Sequence, residues 1–160
     1  MPYQIPAIAD LEQSTTITEV PGIPEINKEN PIAVVFRQAT EEEDSMRERF
    51  VNVPVTMNYG DLGFVESRTH EPKTLNEIRA YEVYLTLADC DIVEVQEKKL
   101  FKFENVNGLR KLRDSFPEFQ KKWGRLPKPI TMAIHHKCLD ANPDWDFRWQ
   151  VPGEAPEGEE

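Results

Sequence analysis

Long apolar runs, glycine and cysteine are all scarce in this 160-residue chain. No stretch approaches the roughly 20 apolar residues that a membrane-spanning helix needs. The opening residues, Met1 to Gln4, lack the basic start and apolar run of a secretory signal. Because no export signal is recognisable, the two widely separated cysteines, Cys90 and Cys138, are predicted to stay reduced. We therefore expect a soluble protein of the cytoplasm.

Motifs of the common catalytic and nucleotide-binding sites are missing as well. Seven glycines are too few and too dispersed for a phosphate-binding loop, and neither Gly-x-Ser-x-Gly nor His-Glu-x-x-His occurs. Neither cysteine stands in a recognisable motif with a histidine. The sequence thus predicts no enzyme, no catalytic residue and no cofactor, although catalytic groups scattered along the chain remain an alternative.

His135, His136 and Cys138 form the one cluster that invites a metal hypothesis. Neighbouring positions on a helix point about 100° apart, so the two histidines cannot face one ion together. His135 and Cys138 do share a face, but zinc needs three or four ligands. We predict that no metal is bound.

Charge is distributed unevenly along the chain. The net charge is -10, yet residues 97–137 carry about +7, which leaves about -17 for the remainder. Five aromatic residues are interleaved with the basic ones, a pattern that occurs in proteins that bind single-stranded nucleic acid. The aromatic spacing is however that of core positions, and the acidic total opposes approach to phosphates. An acidic protein surface, on a partner or on this chain itself, is therefore the expected target.

Proline marks the two ends of the chain. Five of the thirteen prolines lie within residues 1–31, so residues 1–30 are predicted to be an extended or disordered arm. Residues 150–160 have the Pro/Gly/Glu composition of a disordered acidic tail. The domain is expected between these ends, over residues 31–149.

Within that domain the pattern predicts a single α+β fold with about four helices and short β-hairpins. Thr40 to Glu43 and Thr74 to Glu77 are capping boxes that open two helices, and the second helix is expected at the centre of the core. The other predicted elements are a strand at 32–37, hairpin strands at 51–55 and 64–67, a hairpin at 92–95 and 100–103, an interrupted helix at 107–123 that restarts at Ser115, and a last helix at 130–140.

Three aromatic residues follow the last predicted helix. Trp145, Phe147 and Trp149 alternate, so an extended backbone places all three on one side. They either fold back over the core or serve as anchors for a protein partner, since tryptophan is frequent in binding hot spots. They are the candidate partner-binding residues of this sequence, with Trp145 expected to pack inward more than Trp149.

Three stretches together resemble a known family. They are Pro31 to Asp44 with its Arg-Gln-Ala-Thr-Glu motif, Asn76 to Asp89, and Trp123-Gly-Arg-Leu-Pro127 followed by Ile134 and Asn142-Pro-Asp-Trp145. Their order and spacing are similar to small tailed-bacteriophage proteins of the tail assembly chaperone type. The resemblance covers about residues 31–145, and the proline-rich arm and the hairpin around Gly60 depart from it.

The resemblance implies a non-enzymatic protein of the host cell cytoplasm. Such chaperones bind the long tape-measure protein and deliver it to tail tube subunits, so the implied partners are other tail proteins. A structural component of the virion, in the tail or neck, is the alternative, with a small enzyme or nucleic-acid-binding protein as the second. Neither the oligomeric state nor the host follows from the sequence.

Overall fold

The computed structural model describes residues 2–4, 12–52, 55–60, 63–68 and 73–146. Within these ranges the chain forms four α-helices, a three-stranded sheet and two β-hairpins, which confirms the predicted α+β class. None of the helices described is long and apolar enough to cross a bilayer. The strands are β1 (Glu12–Ile17), β2 (Ile32–Arg37), β3 (Val55–Gly60), β4 (Gly63–Arg68), β5 (Leu87–Cys90), β6 (Phe103–Val106) and β7 (Leu109–Leu112). The helices are α1 (Glu41–Val51), α2 (Leu75–Thr86), α3 (Phe116–Trp123) and α4 (Lys128–Ala141), and a 3₁₀ turn (Pro143–Trp145) follows.

Strand β2 lies at the centre of the antiparallel sheet, in the order β1-β2-β5. Its alternate residues Ile32, Val34 and Phe36 are buried, as expected for a strand with one face on the core. Helix α4 packs against β1 and β2 and also against α2. The core therefore lies between this sheet and the two helices.

Both predicted capping boxes are present. Thr40 Oγ1 accepts the backbone N–H of Glu43, whose carboxylate accepts the N–H of Thr40 in return, and Thr74 and Glu77 repeat the arrangement at the start of α2. Each box satisfies two N–H groups that the first helical turn leaves without partners. The starts of α1 and α2 are thus fixed by local sequence alone.

The predicted boundary of the domain at residue 31 is too late. Residues 12–17 form strand β1 along the whole of β2, and Ile17 and Val20 are each only 4% exposed. Pro21 and Gly22 form a turn, closed by a 3.1 Å bond from Ile23 N–H to Val20 O, in which Gly22 takes a φ of 82°. The prolines therefore terminate a strand instead of preventing one, and the described part of the arm from residue 12 belongs to the fold.

The helix predicted from residue 107 begins instead as the hairpin β6–β7. Asn107 and Gly108 form its two-residue turn with φ values of 52° and 82°, the left-handed pair that a type I′ turn requires. The apolar residues Leu109 and Leu112 suited a helical period, but Asn-Gly is the stronger local signal. Only the restart at Ser115 is correct, with Pro117 in the first turn of α3.

Two other predicted elements differ from the structure. Helix α2 ends at Thr86 and passes directly into β5. The first strand of the hairpin around Gly60 runs over 55–60 rather than 51–55. The hairpin expected at 92–95 and 100–103 is reduced to a single bridge between Val93 and Lys99.

Candidate functional site

A groove runs between α2 and α4 on the surface of the domain. It consists of two adjoining depressions of about 400 Å³ and about 200 Å³, which share Arg79 of α2 and Met132 of α4. Asp146, which follows the 3₁₀ turn, lines the larger one. The smaller one extends past the start of α4 at Lys128 to Leu126. We call this surface the α2–α4 groove.

The walls of the larger depression are mainly apolar. Leu75, Met132 and Leu139 line it; Leu75, the first residue of α2, is 48% exposed, and Met132 and Leu139 are half-buried. An exposed large apolar side chain in a concave surface that other apolar residues line is typical of a binding site. The groove is therefore suited to a ligand that supplies apolar side chains.

Cationic groups line the smaller depression. Arg79 lies where the two depressions join, and the exposed Lys128 marks the far end. These positions favour negative charge on whatever occupies this part of the groove. The groove thus changes from apolar near Asp146 to cationic near Lys128.

A buried network of charged side chains lies beneath the larger depression. Glu82 of α2 is 1% exposed and accepts from Arg47 Nε at 2.6 Å and from His135 Nε2 at 2.7 Å. A buried carboxylate is tolerated only when paired in this way, because desolvation of an isolated charge costs several kcal/mol. This triad of α1, α2 and α4 fixes the two walls of the groove relative to α1.

Trp145 packs against Arg47 of the same network. It is 2% exposed, its Nε1–H donates to Asp44 Oδ1 at 2.8 Å, and the Arg47 guanidinium carbon lies 5.3 Å from its ring centroid. Of the three candidate partner-binding residues, Trp145 is therefore a core residue, as expected for the one nearest the closing turn. Phe147 and Trp149 lie outside the described residues.

A second buried ion pair joins the sheet to the helices. Arg37 at the end of β2 is 0% exposed and donates to both carboxylate oxygens of Glu43 at 3.1 and 2.9 Å. It also donates to the carbonyls of Leu85 and Arg110 at 2.9 and 2.8 Å. One side chain thus connects β2, α1, α2 and β7.

The histidines and cysteines of α4 do not converge. His135 is directed at Glu82, His136 is exposed, and Cys138 contacts Thr86 Oγ1 at 3.4 Å. Within the part of the chain that the structure describes, no three His, Cys, Asp or Glu side chains are placed to hold an ion. Burial raises the pKa of both the Cys90 and the Cys138 thiols to about 12, so neither is a nucleophile near neutral pH.

Much of the basic stretch pairs with the chain's own acids. Arg110 Nη2 lies 2.7 Å from Glu12, which ties β7 to the edge strand, and Lys122 lies 2.6 Å from Asp114. The aromatic residues of the stretch are largely internal: Phe101 and Phe119 are buried with ring centroids 5.3 Å apart, and Trp123 stacks on Phe119 at 5.5 Å. These rings are core residues and offer no exposed platform for nucleic-acid bases.

The sequence did not point to Arg37, Arg47 or Glu82. The one available signal was spacing, since Glu82 lies four residues after Ile78 and therefore on a buried face of α2.

Comparison with protein families, with characterised proteins and with solved structures finds no match to this chain.

Proposed function

We propose that this protein is a non-enzymatic phage tail assembly chaperone or adaptor, and that the α2–α4 groove holds a helical segment of another tail protein such as the tape measure. The groove, with the half-exposed Leu75 at its apolar end, is the observation that carries the proposal. The resemblance of residues 31–145 to such chaperones supplies the class of partner. The buried carboxylates Glu43 and Glu82 support a role without catalysis, because arginines already occupy them.

The dimensions of the groove fit an amphipathic helix. Helix α4, which lines the groove from Lys128 to Leu139, has 14 residues and is about 21 Å long, which is about four turns of a helix lying alongside it. Binding of this kind places apolar residues at positions i, i+3, i+4 and i+7 into the groove. Arg79 and Lys128 then favour a helix with acidic residues at one end. A long helical tape-measure protein can supply such segments repeatedly.

Leu75→Glu is expected to abolish or strongly weaken this binding while the domain stays folded. The substitution buries a carboxylate against the partner's apolar face, and we expect a loss of about 2 kcal/mol or more, roughly thirtyfold in Kd. Folding tolerates the change because Leu75 is the first residue of α2, where the helix dipole favours an acid. Isothermal titration with peptides tiled along the tape-measure protein of the same phage measures the effect.

Val95→Glu is the matched control, because Val95 is 90% exposed and lies outside the α2–α4 groove. It introduces the same charge and should leave the affinity unchanged. Equal weakening by both variants would locate binding elsewhere, and peptides that bind neither the parent nor the variants would contradict the proposed partner.

A chaperone and a permanent virion component differ in one measurable respect. A chaperone leaves the assembly once its partner is delivered, so mass spectrometry of purified virions should not detect this chain. Detection in fixed copy number would contradict the chaperone and favour the structural role in the tail or neck.

A further inference from the structure

A loop over residues 92–100 carries two exposed valines. Val95 in the turn of this loop is 90% exposed, and Val93 is 53% exposed. The described part of the chain has only two other exposed large apolar side chains, Tyr3 and Leu75. A single exposed valine needs no explanation, but two on one loop indicate a surface that meets another molecule.

The backbone at the tip of the loop is strained. Gln96 and Glu97 have φ values of 75° and 60°, in the left-handed region that favours glycine and asparagine. The hairpin turn at Asn107 and Gly108 also has two positive φ values, but with the residue types that suit them. Local preference therefore does not account for the conformation that presents Val95. Strain of this kind is frequent in segments that contact a ligand or a partner.

A depression of about 430 Å³ adjoins the two valines, which form part of its wall. The rest of its apolar lining comes from Ile92, Leu100 and Leu126. We call the loop 92–100 together with this depression the valine patch. The patch places an exposed apolar side chain beside an apolar cavity, so a second copy of the same patch can supply the side chain that fills it.

The charged groups of the valine patch balance one another. Arg125 Nη2 lies 2.6 Å from Glu94 Oε1. Lys122 Nζ lies 2.6 Å from Asp114 Oδ2. The remaining charged residues are Lys99, which lies 3.6 Å from Asp89, and the neighbours Glu97 and Lys98. A surface with as many cations as acids favours a neutral partner surface, and in a chain of net charge -10 it is where two copies repel each other least.

We propose that the valine patch is an isologous contact between two copies of this chain, in which Val95 of each copy enters the depression of the other. A twofold axis brings the same patch of both copies together, so the patch must complement itself in shape and in charge. The exposed Val95 beside an apolar cavity meets the first requirement, and the paired charges meet the second. The patch is small, so we expect a weak dimer with a Kd of about 10–100 µM. This dimer does not depend on the function proposed above.

Sedimentation velocity of the full-length protein between about 1 and 200 µM tests the dimer. The sedimentation coefficient of the parent should rise with concentration. Val95→Glu should raise the Kd of the dimer by about tenfold or more, because it places a carboxylate in an apolar cavity. Leu75→Glu is the matched control, since it makes the same change at another exposed apolar residue, and it should leave this Kd unchanged. A parent that stays monomeric throughout, or a dimer that Val95→Glu weakens no more than Leu75→Glu does, overturns the proposal.

Cross-linking between chains tests the arrangement. The thiols of Cys90 and Cys138 are buried and have a pKa of about 12, so a short bifunctional maleimide near neutral pH reacts with introduced cysteines. A mixture of Val95→Cys protein with Leu126→Cys protein should give a covalent dimer with one chain of each kind. Leu75→Cys in place of Leu126→Cys should give no such product above background. Equal yields from the two mixtures would contradict the entry of Val95 into the depression.

The two sites can fail separately. Val95→Glu should dissociate the dimer and still bind the tape-measure peptide, whereas Leu75→Glu should keep the dimer and lose the peptide. A protein that binds the peptide but never dimerises overturns the dimer alone, and a dimer that binds no peptide overturns only the chaperone function. If Val95→Glu melts early, Val95→Ser is the substitute, and loss of the methyl groups should still raise the Kd of the dimer by about threefold. An unchanged Kd in that variant overturns the proposal.

Discussion

Replacement of Arg37 by methionine is expected to lower the free energy of unfolding by about 3–5 kcal/mol. The arginine is 0% exposed and makes four hydrogen bonds, two to Glu43 and two to the backbone carbonyls of Leu85 and Arg110. Methionine fills a similar volume but leaves the Glu43 carboxylate buried without its main cation. Urea unfolding followed by far-UV circular dichroism measures the loss.

Arg125→Met is the matched control for this prediction. Arg125 also forms an ion pair, with Glu94 at 2.6 Å, but its side chain is 66% exposed. Exposed pairs contribute less than about 1 kcal/mol, so this variant should unfold almost like the parent. Equal effects of the two substitutions would contradict the view that burial makes the Arg37 pair important.

A double variant separates the ion pair from the packing. If unpaired charge causes the loss, Arg37→Met combined with Glu43→Leu should be less destabilised than the sum of the single variants by about 1–3 kcal/mol. The recovery cannot be complete, because Glu43 also accepts the backbone N–H of Thr40 in the capping box. Strict additivity would indicate that each side chain acts through separate contacts.

The sequence predicted the elements whose signals are local. Thr40 with Glu43 and Thr74 with Glu77 are four-residue motifs that satisfy their own N–H groups, and both helices begin where those motifs place them. The signal for the strand at 32–37 is equally local, since its β-branched residues favour a β-strand. For these segments, local preference and tertiary structure agree.

The errors occurred where two signals competed. At residues 107–112 an apolar spacing compatible with a helix was given more weight than the Asn107-Gly108 turn, which needs only two residues with positive φ. At the N-terminus the count of prolines outweighed the strand-forming residues Thr15 to Ile17. Strand β1 is held by pairing with β2 and by the ion pair of Glu12 with Arg110, ninety-eight residues away. No local pattern reports a contact at that separation.

The groove was beyond sequence reasoning for the same physical reason. Its walls come from α2 and α4, which are more than forty residues apart, and its floor depends on Arg47 from a third helix. Amphipathic periodicity showed which faces of α2 and α4 are apolar, but not that Leu75 is left exposed where the helices meet. Trp145 was recognised from sequence as an aromatic residue that packs inward, whereas its contacts with Asp44 and Arg47 depend on where the closing turn places it.

Trp145→Ala is expected to destabilise the domain by about 3–5 kcal/mol, the usual cost of removing a buried large aromatic side chain. The ring is 2% exposed, and its loss would leave a cavity beside Arg47 and remove the hydrogen bond to Asp44 Oδ1. Trp145→Phe keeps most of the ring volume and should cost only about 1–2 kcal/mol, chiefly for the lost N–H donor. Chemical denaturation with an unchanged m-value would show that the native state of each variant is otherwise the same.

Trp149→Ala completes the comparison within the same short sequence. Trp149 is predicted from sequence as a partner anchor rather than a core residue, so the free energy of unfolding should change by less than about 1 kcal/mol. The same variant should bind a tape-measure peptide about 1–3 kcal/mol more weakly than the parent, the usual cost of losing an interface anchor. Trp145→Ala should bind it only to the extent that the domain remains folded. A Trp145→Ala protein that unfolds like the parent would contradict the role assigned to this ring. That role is to pack against Arg47, which pairs with Glu82 beneath the groove.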